Sequence, residues 1–223
     1  MRHLEIRQEM IAVCNFMVDR GINQGTAGNI SVRVEEGFLI TPSGVPYPEM
    51  VPEDIVTMHI DASHVGLRKP STEWRFHRDI MEKKPEVGAV IHLHSRFCTS
   101  LSMLRREIPA VHYMMAVAGG PTVPCVPYVT WGTQELADLI LGALQDRFAC
   151  LLANHGMVAI GPNLKRAAWL AVEIEALASQ YWHALQVGVP YVLPDEEIAR
   201  VAERFKSYGQ GDDGTRRIMP SCC

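Results

Sequence analysis

The sequence has no long apolar run. Nothing in its 223 residues approaches the roughly 20 apolar positions that span a bilayer. The opening stretch MRHLEIRQEM has no apolar core of the kind a secretory leader carries. The six cysteines, Cys14, Cys98, Cys125, Cys150, Cys222 and Cys223, form no C-x-x-C pair and no small-protein disulfide spacing. That predicts a reduced, cytoplasmic protein. Charge of one sign is also lacking: 21 Lys and Arg stand against 25 Asp and Glu, a formal net charge of −4. No nucleic-acid or membrane partner is therefore expected. Internal repeats and low-complexity segments are absent too. What remains is an ordinary globular balance, 48% apolar and 21% charged, long enough to bury a sizeable core. A single domain over residues 1–210 is expected, with 211–223 a flexible tail that carries Cys222 and Cys223.

Helical and extended patterns alternate along the chain. Leu4 to Arg20 places Met10, Cys14 and Met17 at helical spacing, and Gly21 is a suitable stop. Ile30 to Val34 and Phe38 to Thr41 read as strands around a Glu35-Glu36-Gly37 turn. A helix is expected near Glu73, with Ser71 and Thr72 supplying capping hydroxyls. Val87 to His94 is the clearest strand. Its alternation sends Val87, Ala89, Ile91 and Leu93 to one face, and Gly88, Val90, His92 and His94 to the other. Gln134 to Gln145 reads as a helix, and Ala149 to Ala153 and Met157 to Ile160 as strands flanking Asn154-His155-Gly156. Lys165 to Val187 is a long amphipathic helix and Asp195 to Phe205 the last one. Such mixing predicts helices covering a central sheet.

Two histidines at i and i+2 on a strand share a face, so the rings of His92 and His94 can converge on one ion. His155, in a glycine-flanked turn, is a candidate third ligand. Glu73, at a helix start, is a candidate fourth that comes and goes. Imidazole suits zinc and other borderline divalent metals. Histidines with purely structural roles fit the same spacing, which alone does not separate the two. Three short segments, Gly25-Thr26-Ala27-Gly28-Asn29, Thr41-Pro42-Ser43-Gly44 and Pro70-Ser71-Thr72, combine small residues with hydroxyls. Their backbone N–H groups suit a phosphate. The same residues also make ordinary turns and caps.

Taken together, NQGTAGNISVR (23–33), LITPSGVPY (39–47), PSTEWRFH (70–77), AVIHLH (89–94), IPAVHYMMAVAGG (108–120), LLANHG (151–156) and FKSYG (205–209) resemble the class II aldolase/adducin family. Within it the likeness is greatest to the L-fuculose-1-phosphate aldolases. The likeness runs in order through nearly the whole chain. It implies a three-layer α/β/α fold around a mostly antiparallel mixed sheet, and a homotetramer with a site at each subunit interface. It implies one zinc ion per subunit on His92, His94, His155 and Glu73, with manganese, cobalt or iron compatible with the same ligands. A phosphate pocket falls on Gly28, Asn29, Ser43, Gly44, Ser71 and Thr72. Glu73 is the implied acid/base. Tyr113 reaches a neighbouring subunit's site, and Tyr208 helps close the site. His77 and His112 stand beside these motifs as structural neighbours or as groups that brace the ligands from behind.

The implied reaction is reversible cleavage of a ketose 1-phosphate to dihydroxyacetone phosphate and an aldehyde. The substrate would be L-fuculose 1-phosphate or a related 5-deoxy- or 5-methylthio-pentulose 1-phosphate. Trp131, where a phenylalanine is usual, and the glycine-rich tail leave the aldehyde open. Pentulose-phosphate 4-epimerases, methylthioribulose-phosphate dehydratases and tetronate-phosphate decarboxylases share the scaffold. So does a non-catalytic adducin-like module, which should lack the ligands present here.

Overall fold

The computed structural model describes residues 1–206. Tyr208, Cys222, Cys223 and the tail expected over 211–223 lie outside the described residues. The first helix, α1 (Leu4–Asp19), ends where its sequence changes. Gly21 adopts a left-handed φ of 65°. Its N–H reaches the Val18 carbonyl, and that of Ile22 reaches Met17. This double bond pattern closes a helix whose last carbonyls would otherwise be orphaned. The chain then forms β1 (Asn29–Val34) and β2 (Gly37–Ile40), a hairpin in register Val34↔Gly37. A Cβ on Gly37 would stand 2.2 Å from the Met58 carbonyl oxygen, so only glycine fits there.

Strands β3 (Val56–Met58) and β4 (His64–Val65) follow, then α2 (Trp74–Lys83), β5 (Ala89–Leu93) and α3 (Arg96–Met103). Next come β6 (Cys125–Val126), α4 (Gln134–Ala143), β7 (Ala149–Leu152), β8 (Gly156–Gly161), α5 (Leu164–Val187) and α6 (Asp195–Phe205). The strands form one sheet of eight in the order β4-β3-β2-β1-β5-β8-β7-β6. Every pairing is antiparallel except β6 with β7, which α4 joins, as a parallel connection requires.

Each face of the sheet carries its own core. Ala89, Ile91 and Leu93 join Met10 and Met17 of α1, Leu101 of α3, Ile174 of α5 and Ile198 of α6. Val90, Val158 and Ile160 pack on Phe76 and Ile80 of α2 and Leu136 and Ile140 of α4. The expected three layers are therefore present. The predicted alternation fails at one position. Val87 lies with Val90 in the second core, not with Ala89. Its N–H closes a turn onto the Lys84 carbonyl, so it precedes the ladder and does not share its period. The strand is correspondingly shorter than the predicted 87–94.

Helix α3, which local patterning did not announce, is held by a distant carboxylate. Glu175 on α5 is buried. It accepts hydrogen bonds from the Phe97 and Cys98 N–H groups at 2.8 and 2.9 Å and from Ser95 Oγ at 2.7 Å. A negative charge at a helix N-terminus is favoured, and here α5 supplies it. Glu175→Ala leaves those buried donors unpaired. It is expected to destabilise the protein by about 2–4 kcal/mol, read as a lower urea midpoint at unchanged slope.

Candidate metal centre and active site

Strand β5 delivers His92 and His94 to one end of the sheet, and the β7–β8 turn delivers His155 beside them. Asn154 takes a left-handed φ of 56°, a conformation asparagine tolerates, and reverses the chain. Gly156 permits the close approach. A Cβ there would stand 2.4 Å from the Leu93 carbonyl oxygen and 3.1 Å from the His94 ring. The three imidazoles place one nitrogen each within 4.8 Å of the others. His92 Nε2 and His94 Nε2 are 3.1 Å apart. Glu73, at the N-cap of α2, sets Oε2 3.2 Å from His92 Nε2 and Oε1 3.6 Å from His155 Nε2.

The protonation pattern is that of a cation site. His92 Nδ1 donates to the Met157 carbonyl at 2.9 Å, which turns the Nε2 lone pair toward the cluster. Burial, and then the neighbouring His92, push both His94 and His155 down to about 4. At neutral pH their lone pairs are free. Burial opposes charge on Glu73, but His92, His155 and Asn29 outweigh it and hold the carboxyl well below the usual range. His92 is lifted in turn by that carboxylate, against its own burial. Glu73 Oε1 is buried and, among the described residues, has no hydrogen-bond partner. An orphaned carboxylate oxygen beside three convergent imidazoles fits a divalent metal in donor type and number.

A cleft of about 280 Å³ opens onto this cluster, lined by Gly28, Asn29, Ser43, Gly44, Ser71 and Thr72 together with Glu73, His94 and His155. All six residues expected around a phosphate thus share one cavity with His94 and His155. Gly28 has a φ of +73°, and a Cβ on it would meet the His92 carbonyl oxygen at 2.4 Å. Its backbone thereby packs flat against β5. Ser71 Oγ accepts the Glu73 N–H at 3.3 Å, but Glu73 is itself the N-cap of α2 and that helix has no side-chain cap bond, so the capping expected of Ser71 and Thr72 is not made. Trp131 also borders the cleft and is 58% exposed. Beyond it lies a wider groove of about 630 Å³ that reaches Lys69 and Arg75.

Tyr113 does not enter the cleft of its own chain. It begins a 3-10 turn, Tyr113–Ala118, and is 50% exposed against the His112 ring. His77, expected as a structural neighbour or a bracing group, is fully buried and bonded to Asn29 and Ser31. Its spacing of four from Glu73 was the available signal.

Residues 8–182 match the family described as Class II Aldolase and Adducin N-terminal domain. The chain belongs to the class II aldolase and adducin family. Its similarity to named members of that family spans nearly the whole chain. It is 50% identical to the 5-methylthioribulose-1-phosphate/5-deoxyribulose-1-phosphate aldolase of Rhodospirillum rubrum, covering 92% of this chain and 93% of that protein. It is 46% identical to the L-fuculose phosphate aldolase of Escherichia coli, covering 94% and 98%. A solved structure of an L-fuculose 1-phosphate aldolase superposes with a TM-score of 0.89 at 41% identity, covering 92% and 98%. This chain, with its eight-stranded sheet and helices on both sides, shares the fold of that solved structure.

The cluster makes a binding prediction. The purified chain should bind one divalent ion, and His92→Ala, His94→Ala and His155→Ala should each lower that stoichiometry under dialysis. At metal a thousandfold above its Kd, the parent should gain about 4 kcal/mol of stability over the chelated protein, seen as a higher melting temperature.

Proposed function

We propose that this chain is a metal-dependent ketose-1-phosphate aldolase. It would cleave L-fuculose 1-phosphate, or a related 5-deoxy- or 5-methylthio-pentulose 1-phosphate, to dihydroxyacetone phosphate and an aldehyde. One observation carries the reading: the histidine cluster and the orphaned Glu73 oxygen open into the cleft that the three small-residue turns line. The relatives' printed names supply the substrate class.

In this reading His92, His94 and His155 hold a zinc ion, with Glu73 completing the set. Manganese, cobalt or iron suit the same donors. The chemistry such an ion supplies is Lewis-acid polarisation of the substrate carbonyl. The phosphate binds Gly28, Asn29, Ser43, Gly44, Ser71 and Thr72. Among the described residues no lysine or arginine lines that cleft, so neutral N–H and hydroxyl donors carry the recognition. Breaking a carbon–carbon bond beside a carbonyl leaves negative charge on the phosphate-bearing fragment, and Glu73 exchanges the proton at that carbon. Lys69, Lys83 and Lys165 are exposed and Lys84 only partly covered, a poor setting for a Schiff-base lysine. Tyr113 of an adjacent subunit in a homotetramer serves the oxygen that becomes the aldehyde, and Tyr208 helps close the site. A cytoplasmic setting accords with the free Cys14, Cys98, Cys125 and Cys150. Among the described residues, no helix is long and apolar enough to cross a membrane.

The deciding assay is dihydroxyacetone phosphate release from L-fuculose, L-rhamnulose, 5-deoxyribulose and 5-methylthioribulose 1-phosphates, with and without chelator. Chelator-sensitive release is expected, and the ranking of rates names the aldehyde. Absence of release from all four by metal-loaded protein overturns the reading. Glu73→Gln should lower kcat by about 100- to 10,000-fold.

A further inference from the structure

Three polar side chains outside the metal cluster form a single file that ends on its carboxylate, Glu73. Ser31 Oγ lies 2.7 Å from His77 Nδ1. His77 Nε2 lies 2.5 Å from Asn29 Oδ1. Asn29 Nδ2 lies 3.0 Å from Glu73 Oε2. The spacing is a product of the two elements that face each other. Asn29 and Ser31 share one face of β1 at i and i+2, while Glu73 and His77 stand one helical turn apart at the start of α2. All four are buried, and Phe76 stacks on the His77 ring at 4.3 Å.

The direction of every bond in this file is fixed by its end. A carboxylate oxygen only accepts, so Asn29 must turn its NH₂ toward Glu73 and its carbonyl toward His77. Two acceptors cannot face each other at 2.5 Å, so His77 must carry its proton on Nε2. Nδ1 is then a bare acceptor, and Ser31 donates to it. The ring is fully buried, which disfavours its charged form and pushes it down to about 3, so a neutral, single tautomer is the state that folds.

We infer that His77 is a positioning residue for the metal centre. By locking the Asn29 amide through an Nε2–H bond, it aims a fixed N–H at Glu73 Oε2 and leaves Oε1 free to face the ion. Asn29 alone could present either end of its amide to Glu73, and the wrong end would repel the carboxylate. The role rests on Glu73 belonging to the metal set, as proposed above, and is independent of which substrate is cleaved.

Two measurements on the full chain test this. In the zinc-loaded protein, ¹⁵N-edited NMR of the histidine rings should show His77 protonated at Nε2 only; an Nδ1–H tautomer overturns the inference. Zinc affinity, read by competition with a chelating dye, should fall about 10- to 100-fold in His77→Leu. It should recover in His77→Gln, whose amide can still donate to Asn29. Adding His77→Leu to Asn29→Leu should cost nothing more, because the effect passes through Asn29. Parent-like affinity in His77→Leu, or additive losses in the double variant, overturns the role. If zinc binding behaves as stated while no ketose 1-phosphate is cleaved, the aldolase reading fails and this one stands.

Discussion

Three imidazole nitrogens and a carboxylate converge on one point at the end of β5. Facing lone pairs repel, and inside a protein that repulsion is less screened than in water. The chain therefore holds this arrangement only because backbone pairing forces it. His92 is pinned opposite Val158 and Asn29 by the β5 ladders on both sides. The β7–β8 turn can bring His155 no closer than the left-handed Asn154 and the bare Gly156 allow. The middle of the sheet, β1, β5 and β8, is thus the frame on which the cluster is strung. The cores on both faces make that frame rigid.

The same geometry explains why the histidine cluster and the cleft lie side by side. Gly28 and Asn29 open β1, beside His92. Ser71 and Thr72 immediately precede Glu73 at the start of α2. Each short segment therefore serves the cleft at one residue and the cluster at the next. Asn29 does both: its backbone borders the cleft, and its side chain braces Glu73.

Much of this was legible in the sequence. The period-two run through Val90 to His94 put both histidines on one face. Helix α6 begins and ends where its pattern does, and α1, α4 and α5 differ from their patterns by one or two residues. Other features rest on contacts distant in sequence. Helix α3 lacks a local side-chain cap because its cap is Glu175, 80 residues from Ser95. Val87 obeys a turn bond to Lys84, not the strand period it seemed to continue. His77 looked like a neighbour of a motif, and only the packing of α2 on β1 gives it partners. Tyr113 stands at the surface of its own chain, where one sequence and one subunit supply no substrate contact for it.

The outer strands carry a different consequence. Among the described residues the sheet ends in β4 on one side and β6 on the other, each only two residues long. Eight strands with open edges could template the strands of other molecules, since an edge presents unpaired N–H and C=O groups in a row. Here the row is cut to almost nothing at both ends, while the longer strands are enclosed in the middle. A protein with a large sheet thereby stays resistant to edge-to-edge polymerisation, and its surfaces remain free for ordered association.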